Sequence, residues 1–258
     1  MPDAPPKAVL ITGAARRIGR AIALELAAHG WAVAVHYNTS EDDARQTVAD
    51  ITGKGGTAAA LGADLAREDE AVGLVARAGQ AIGPLACLVN NASVFQRDTP
   101  ATATRQSWDA HMEVNLRAPF VLTQAFAGQL PAGIGGNAIN IIDQRVRNLT
   151  PHFTSYTLSK AGLWTLTRTL ALALAPRIRV NAIGPGPTLP NARQTDEEFD
   201  RQWASTPLRR RVGTGEIAAA VRFILDAPAM TGQMIALDGG QHLGWAQRRR
   251  TDTPAPED

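Results

Sequence analysis

Seven short apolar runs, "KAVLIT", "WAVAVHY", "GTAAALGAD", "LACLVN", "NAINII", "IRVNAIG" and "QMIALDG", recur along the 258-residue chain, with longer amphipathic stretches between them. Helix candidates fall near residues 17–29, 41–53, 68–81, 104–129, 153–175 and 214–226. Strands buried on both faces and joined through helices require right-handed crossovers. The sequence therefore predicts an α/β fold, a doubly wound parallel sheet of about seven strands. An apolar fraction of 45% suffices for one large core. No repeat or Pro/Ser linker divides the chain, so one domain is expected over residues 1–247, followed by a polar, Pro-containing tail, 248–258, expected to lack fixed structure. The segment from about Pro185 to Pro207 is long for a connection inside a compact unit, and such connections are usually functional.

Charge and cysteine content narrow the function classes. The balance of 26 Lys+Arg against 24 Asp+Glu leaves +2, too small an excess to mark a nucleic-acid surface. The basic clusters Arg209–Arg211 and Arg248–Arg250 are short and carry no interleaved aromatics. A lone cysteine, Cys87, cannot form an internal disulfide; it reads as a small core residue in a reducing, cytoplasmic compartment. The opening "MPDAPPKAVLITG" is broken by Thr12 and Gly13, which excludes a signal peptide, and no run is long enough to span a membrane. His29, His36, His111, His152 and His242 show no metal-ligand spacing, so no metal is expected.

The first run leads straight into "TGAARRIGRAIALELAAHG". Glycines let a backbone approach a pyrophosphate, whose charge then rests on the free N–H groups of the helix that follows. The turn makes Gly13, Arg16, Arg17, Ile18 and Gly19 candidate nucleotide contacts and the sheet Rossmann-type, although the spacing is wider than GxGxxG. An NAD site would place an acid at the end of the second strand to accept from the ribose hydroxyls. This chain offers His36, Tyr37, Asn38, Thr39 and Ser40, with no acid before Glu41. Arg17 can supply a cation to a 2′-phosphate and Ser40 a hydroxyl, so NADP(H) is expected over NAD(H).

Tyr156 and Lys160 stand four apart at the start of an amphipathic helix and so share one face. With 2 tyrosines and three lysines in the chain, this spacing arises by chance in roughly 2% of cases. An ammonium beside a phenol is expected to lower the phenol's pKa toward working pH and make it a proton donor and acceptor. Thirteen residues before the tyrosine, "INIIDQ" runs out of the core and ends on a carboxylate, Asp143, which is either turn punctuation or a placed group.

Taken with "NNAS" (Asn90–Ser93), "VNL" around Asn115, "YTLSK", "RVNAIGPGPT" and "MTGQMIALDGG", these features resemble the short-chain dehydrogenases/reductases from Lys7 to Gly244. The resemblance implies that Tyr156 is the acid and that Lys160 binds the nicotinamide ribose. It further implies that Asn115 holds a relay water through a helix kink and that Asn91 and Ala92 shape the central strand end. Asp64 and Leu65 would lie beside the adenine, and Pro185, Gly186 and Thr188 around the nicotinamide amide. The tetramers usual in that family imply a homotetramer, which fits apolar stripes on the helices near 104–129 and 153–175.

Two departures from the common pattern sharpen this expectation. Arg17 stands where many members have a glycine, and Asp143 where the commoner members have a serine that polarises a carbonyl. Ketone reduction builds negative charge on oxygen, which an ionised carboxylate opposes. A nitrogen heterocycle reverses the sign, because its N–H and amino groups donate to a carboxylate. The pattern resembles the pteridine and dihydromonapterin reductases, in which an aromatic at the place of Phe95 stacks on the pterin and a serine at the place of Ser93 contacts it. The expected activity is thus NADPH-dependent hydride transfer to a ring C=N of a dihydropterin, with Asp143 and Tyr156 handling protons and also binding the substrate. Alternatives are a carbonyl or imine reductase of the same family, or a non-catalytic NADP(H)-binding regulator.

Overall fold

The computed structural model describes residues 6–191 and 194–244; the tail expected at 248–258 lies outside them. Each apolar run forms a strand: β1 (Ala8–Ile11), β2 (Ala32–Tyr37), β3 (Ala58–Gly62), β4 (Cys87–Asn90), β5 (Gly136–Ile141), β6 (Ile178–Pro185) and β7 (Met234–Leu237). They make a 7-stranded sheet in the order β3-β2-β1-β4-β5-β6-β7. Every neighbouring pair is parallel. The helices are α1 (Arg17–Ala28), α2 (Glu41–Thr52), α3 (Glu68–Ile82), α4 (Arg105–Met112), α5 (Ala118–Gln129), α6 (Thr154–Leu174), α7 (Asp196–Ala204) and α8 (Thr214–Asp226).

Strand period sorts side chains between two cores. Val9, Ile11, Val33 and Val35 pack with Ile22 and Leu26 of α1 and Val221 and Ile224 of α8. Their chain neighbours Ala8, Leu10 and Ala34 face Leu74 of α3 and Leu122 and Phe126 of α5. Successive side chains of a strand point to opposite faces, so a run that is apolar throughout feeds both layers. The strand order reverses between β1 and β4, which opens a crevice at the carboxyl ends of these two strands, the usual ligand position in such sheets.

Two expectations change. The single helix expected over 104–129 is two helices, α4 and α5, joined by a π-helical turn at Glu113–Arg117. Pro119 lies in the first turn of α5 and has no N–H to give the carbonyl of Asn115, so an unbroken α-helical ladder is impossible there. The connection expected over 185–207 contains α7, which Thr195 caps by accepting from Glu198 N while Glu198 accepts from Thr195 N. Among the described residues no helix is long and apolar enough to cross a membrane.

Candidate active site

At the mouth of the crevice α1 starts without help from side chains. Arg16, its N-cap, makes no capping bond, and the first turn has no acid, whereas α2 and α3 each open on three acidic residues. Its leading N–H groups are thus free of competing carboxylates, as an anion site requires. Gly13 has φ +61°, and a Cβ on Gly19 would lie 2.2 Å from the Gly13 carbonyl oxygen. Arg17 also takes a left-handed φ, 55°, a conformation that favours glycine.

The turn is braced from both flanking strands. His36, at the end of β2, accepts the Gly13 N–H on Nδ1 (3.0 Å), and its Nε2 donates to Ala63 O (3.0 Å). Burial pushes its pKa down to about 4, so the ring is neutral. Both ring nitrogens of His36 are thus engaged in bracing the turn from β2. From β4, Asn91 N and Ala92 N donate to Thr12 Oγ1 (2.9 and 3.0 Å), and Asn91 Nδ2 donates to the carbonyls of Thr12 (2.8 Å) and Gly13 (3.0 Å).

At the β2 and β3 ends, the Tyr37 ring lies against Gly62 and Asn38 is exposed. Ser40 precedes α2 without capping it. Asp64 accepts from Ala66 N (3.0 Å) through Oδ1, while the Leu65 side chain is buried in the core. Ile18 packs against the other core. The Arg17 guanidinium donates to Pro190 O (2.9 Å) and Leu189 O (3.3 Å), in the segment beyond β6. Arg16 faces the start of α2, its Nε 3.5 Å from Asp43.

The reacting groups meet where β5 ends. Tyr156 Oη donates to Asp143 Oδ2 (2.9 Å), and the Arg145 N–H donates to Asp143 Oδ1 (2.8 Å). Lys160 Nζ donates to Ile141 O (3.0 Å) and lies 5.8 Å from the Tyr156 ring centre. Burial first, then the Asp143 charge and hydrogen bond, raise the Tyr156 pKa well above its ordinary value. This reverses the expected lowering by Lys160, whose own pKa burial depresses to about 8. Tyr156 is held as a phenol whose proton is already committed to a hydrogen bond.

Asn115, buried in the π turn, clamps Val94 by accepting its N–H (2.8 Å) and donating to its carbonyl (2.9 Å); Nδ2 also donates to Ser159 Oγ (3.1 Å). Ser93 is exposed. Phe95, 39% exposed, stands edge-on to Tyr156 at 4.7 Å. It also stacks on Phe153 at 4.5 Å. Gly186 N donates to Leu237 O (2.9 Å), and a Cβ on Gly186 would lie 2.6 Å from Asp238 Cα. Thr188 Oγ1 donates to Gly186 O (3.0 Å), and Pro185 ends β6 beside Leu237.

Thus Asp143, Tyr156, Lys160, Asn115 and Phe95 gather around one point, while Gly13, Gly19, Asn91 and Ala92 gather around the phosphate turn. Sequence reasoning missed Thr12, Arg145 and Phe153, none of which has a distinctive spacing. Among the described residues no cluster of His, Cys, Asp and Glu could hold a metal. Arg210 pairs with Glu216 and Arg211 with Asp200, so these basic residues serve local ion pairs.

A family model described as enoyl-(acyl carrier protein) reductase matches residues 13–242. The chain is 30% identical to a short-chain type dehydrogenase/reductase of Picea abies, over 91% of this chain and 92% of that protein. It is 35% identical to 3-oxoacyl-[acyl-carrier-protein] reductase FabG of Staphylococcus epidermidis, over 92% of this chain and 99% of that one. The crystal structure of FolM alternative dihydrofolate reductase 1 from Brucella canis, complexed with NADP, superposes with a TM-score of 0.88 at 48% identity, covering 95% of this chain and 98% of the other. The chain belongs to the short-chain dehydrogenase/reductase family of oxidoreductases.

Two outcomes follow from this geometry. Gly19→Ala should destabilise the fold by about 2 kcal/mol or more, measured by urea unfolding, because the new methyl meets the backbone of Gly13 and Ala14 and the side-chain amide of Asn91. Asp143→Asn should bring the Tyr156 ionisation to lower pH, since it removes a negative charge that opposes phenolate; absorbance at 295 nm, referenced to Tyr156→Phe, reads the shift.

Proposed function

We propose that this protein is an NADPH-dependent reductase of a ring C=N in a dihydropterin. The observation that carries the reading is the 2.9 Å hydrogen bond from Tyr156 to Asp143, which puts a carboxylate beside the proton donor where a carbonyl reductase profits from a neutral hydroxyl. The likeness to the FolM structure supports the same class. The FabG relatives favour a carbonyl substrate, but Asp143 works against the oxyanion such a reduction builds.

The glycine cradle, the acid-free start of α1 and the tight seat at Gly186 fit a dinucleotide. The N–H groups from Gly13 to Gly19 would hold the pyrophosphate, Asp64 and Leu65 would flank the adenine, and Arg16 and Ser40 would receive a 2′-phosphate. Lys160 would hold the nicotinamide ribose hydroxyls, and Pro185, Gly186 and Thr188 the amide. The chemistry NADPH supplies when bound is hydride donation.

Phe95 stacks on the pterin, a contact worth on the order of 1 kcal/mol beyond the area it buries. Ser93 offers a hydroxyl to the same ring, and the free lone pairs of Asp143 accept from its N–H and amino groups. Tyr156 gives its proton to the ring nitrogen as the adjacent carbon is reduced. Asp143 and Tyr156 then share the deficit as a coupled pair, with the Lys160 ammonium offsetting the second negative charge. Asn115 keeps the Val94–Phe95 segment in place. The half-buried apolar groove of Met112, Leu116, Phe120 and Leu166 supports assembly as a homotetramer.

NADPH oxidation should be followed with dihydromonapterin, dihydrobiopterin, 3-oxoacyl thioesters and simple ketones. Turnover of dihydropterins, cut by Asp143→Ser by about a hundredfold with NADPH affinity preserved, is expected; turnover of the carbonyl compounds alone overturns the reading. NADPH affinity should also weaken as pH rises through about 8, because Lys160 loses its charge there. The trend runs downward with pH since a bound ribose is held by the protonated form, and fluorescence titration in Lys160→Met should show a flat profile.

A further inference from the structure

A buried polar chain behind the tyrosine has no part in the reaction just described. α6 begins after Phe153, which lies in the left-handed region (φ 61°) and supplies no side-chain cap. The cap comes from the loop after β4. Asp98 accepts the Phe153 N–H on its backbone carbonyl (2.7 Å), the Ser155 N–H on Oδ1 (3.2 Å) and the Ser155 hydroxyl on Oδ2. A carboxylate at a helix N-terminus satisfies orphan N–H groups and meets the positive end of the helix dipole.

The chain continues through Ser155 Oγ, which lies 2.7 Å from His111 Nδ1, and His111 Nε2 accepts the Gln96 N–H (3.1 Å). Because Nε2 receives a proton donor, Nδ1 carries the ring proton and donates to Ser155. Burial, the largest influence, lowers the His111 pKa and favours this neutral form, although Asp98 acts in the other direction. The contact of Ser, His and Asp is no hydrolytic triad: the serine sits between the other two, and none of the three exceeds 2% exposure.

Two members of this chain are the neighbours of the two groups that matter. Gln96 follows Phe95, and Ser155 precedes Tyr156. We propose that Asp98 is a positioning residue which, through Ser155 and His111, locks the loop carrying Phe95 to the start of the helix carrying Tyr156, and so sets the spacing between the stacking ring and the proton donor. The proposal rests on Phe95 being the stacking residue of the reading above.

The test uses the full chain with Asp98→Asn, Asp98→Ala, Ser155→Ala, His111→Ala and His111→Gln. For the Asp98 and Ser155 variants, the KM for the dihydropterin should rise about tenfold while the Kd for NADPH changes less than about twofold. Amide exchange should quicken at residues 94–98 and 153–157 and stay unchanged in α1. His111→Gln, which keeps an acceptor for the Gln96 N–H, should recover loop protection that His111→Ala loses. If Asp98→Ala does not fold, Asp98→Asn and the His111 pair decide. Unaltered exchange at 94–98, or a KM that moves only in step with NADPH affinity, overturns the proposal. Exchange needs no substrate, so failure of the wild-type protein to reduce dihydropterins would sink the functional reading while leaving this one to be judged separately.

Discussion

The site depends on the place where the sheet order reverses, because the chain leaving the paired strands β1 and β4 turns to opposite faces of the sheet and must be held together at the strand ends. Thr12 and Asn91 do this. One hydroxyl accepts two N–H groups from the neighbouring loop, and one amide donates to two carbonyls of the glycine turn. Each is an ordinary hydrogen bond worth about 1 kcal/mol net, but their loss inside the crevice would leave several buried polar groups unpaired at once, which costs more than the bonds contribute. His36 adds the third brace from the side of β2 and is kept acceptor-ready by being too buried to charge at neutral pH.

The architecture was legible because parallel strands buried on both faces announce themselves as uninterrupted apolar runs. All seven were visible, and so were most helices. α7 was not, although Thr195 and Glu198 form a readable capping box, because the surrounding Pro, Asn and Thr residues look like loop. The break between α4 and α5 needed Pro119 to be read as an obstacle to the helix ahead of it; periodicity alone runs straight through.

Within the site, spacing revealed Tyr156 and Lys160, and family likeness supplied Asn91, Asn115 and Asp64. The protonation of Tyr156 was misjudged because a four-residue spacing carries no information on burial, and because the opposing carboxylate comes from a different strand. Phe153, Arg145, Asp98 and His111 were invisible for the same reason: each matters only through a partner that the fold brings from elsewhere in the chain. Arg17 shows the converse. Its presence in the turn was legible, but the direction of a long side chain was not, and it reaches Leu189 and Pro190 beyond β6.

The π turn at Glu113–Arg117 has a bearing on how this chain can vary. A π turn is an α-helix carrying one surplus residue, so deleting a residue there removes the surplus and rotates everything upstream by about 100° relative to α5. Ala110 would take the buried place of His111, whose hydrogen bonds to Ser155 and Gln96 would be lost. The segment therefore accepts changes of side chain far more readily than changes of length, and insertions or deletions between β4 and α5 belong in the exposed stretch around Pro100–Ala103, ahead of the Thr104 cap.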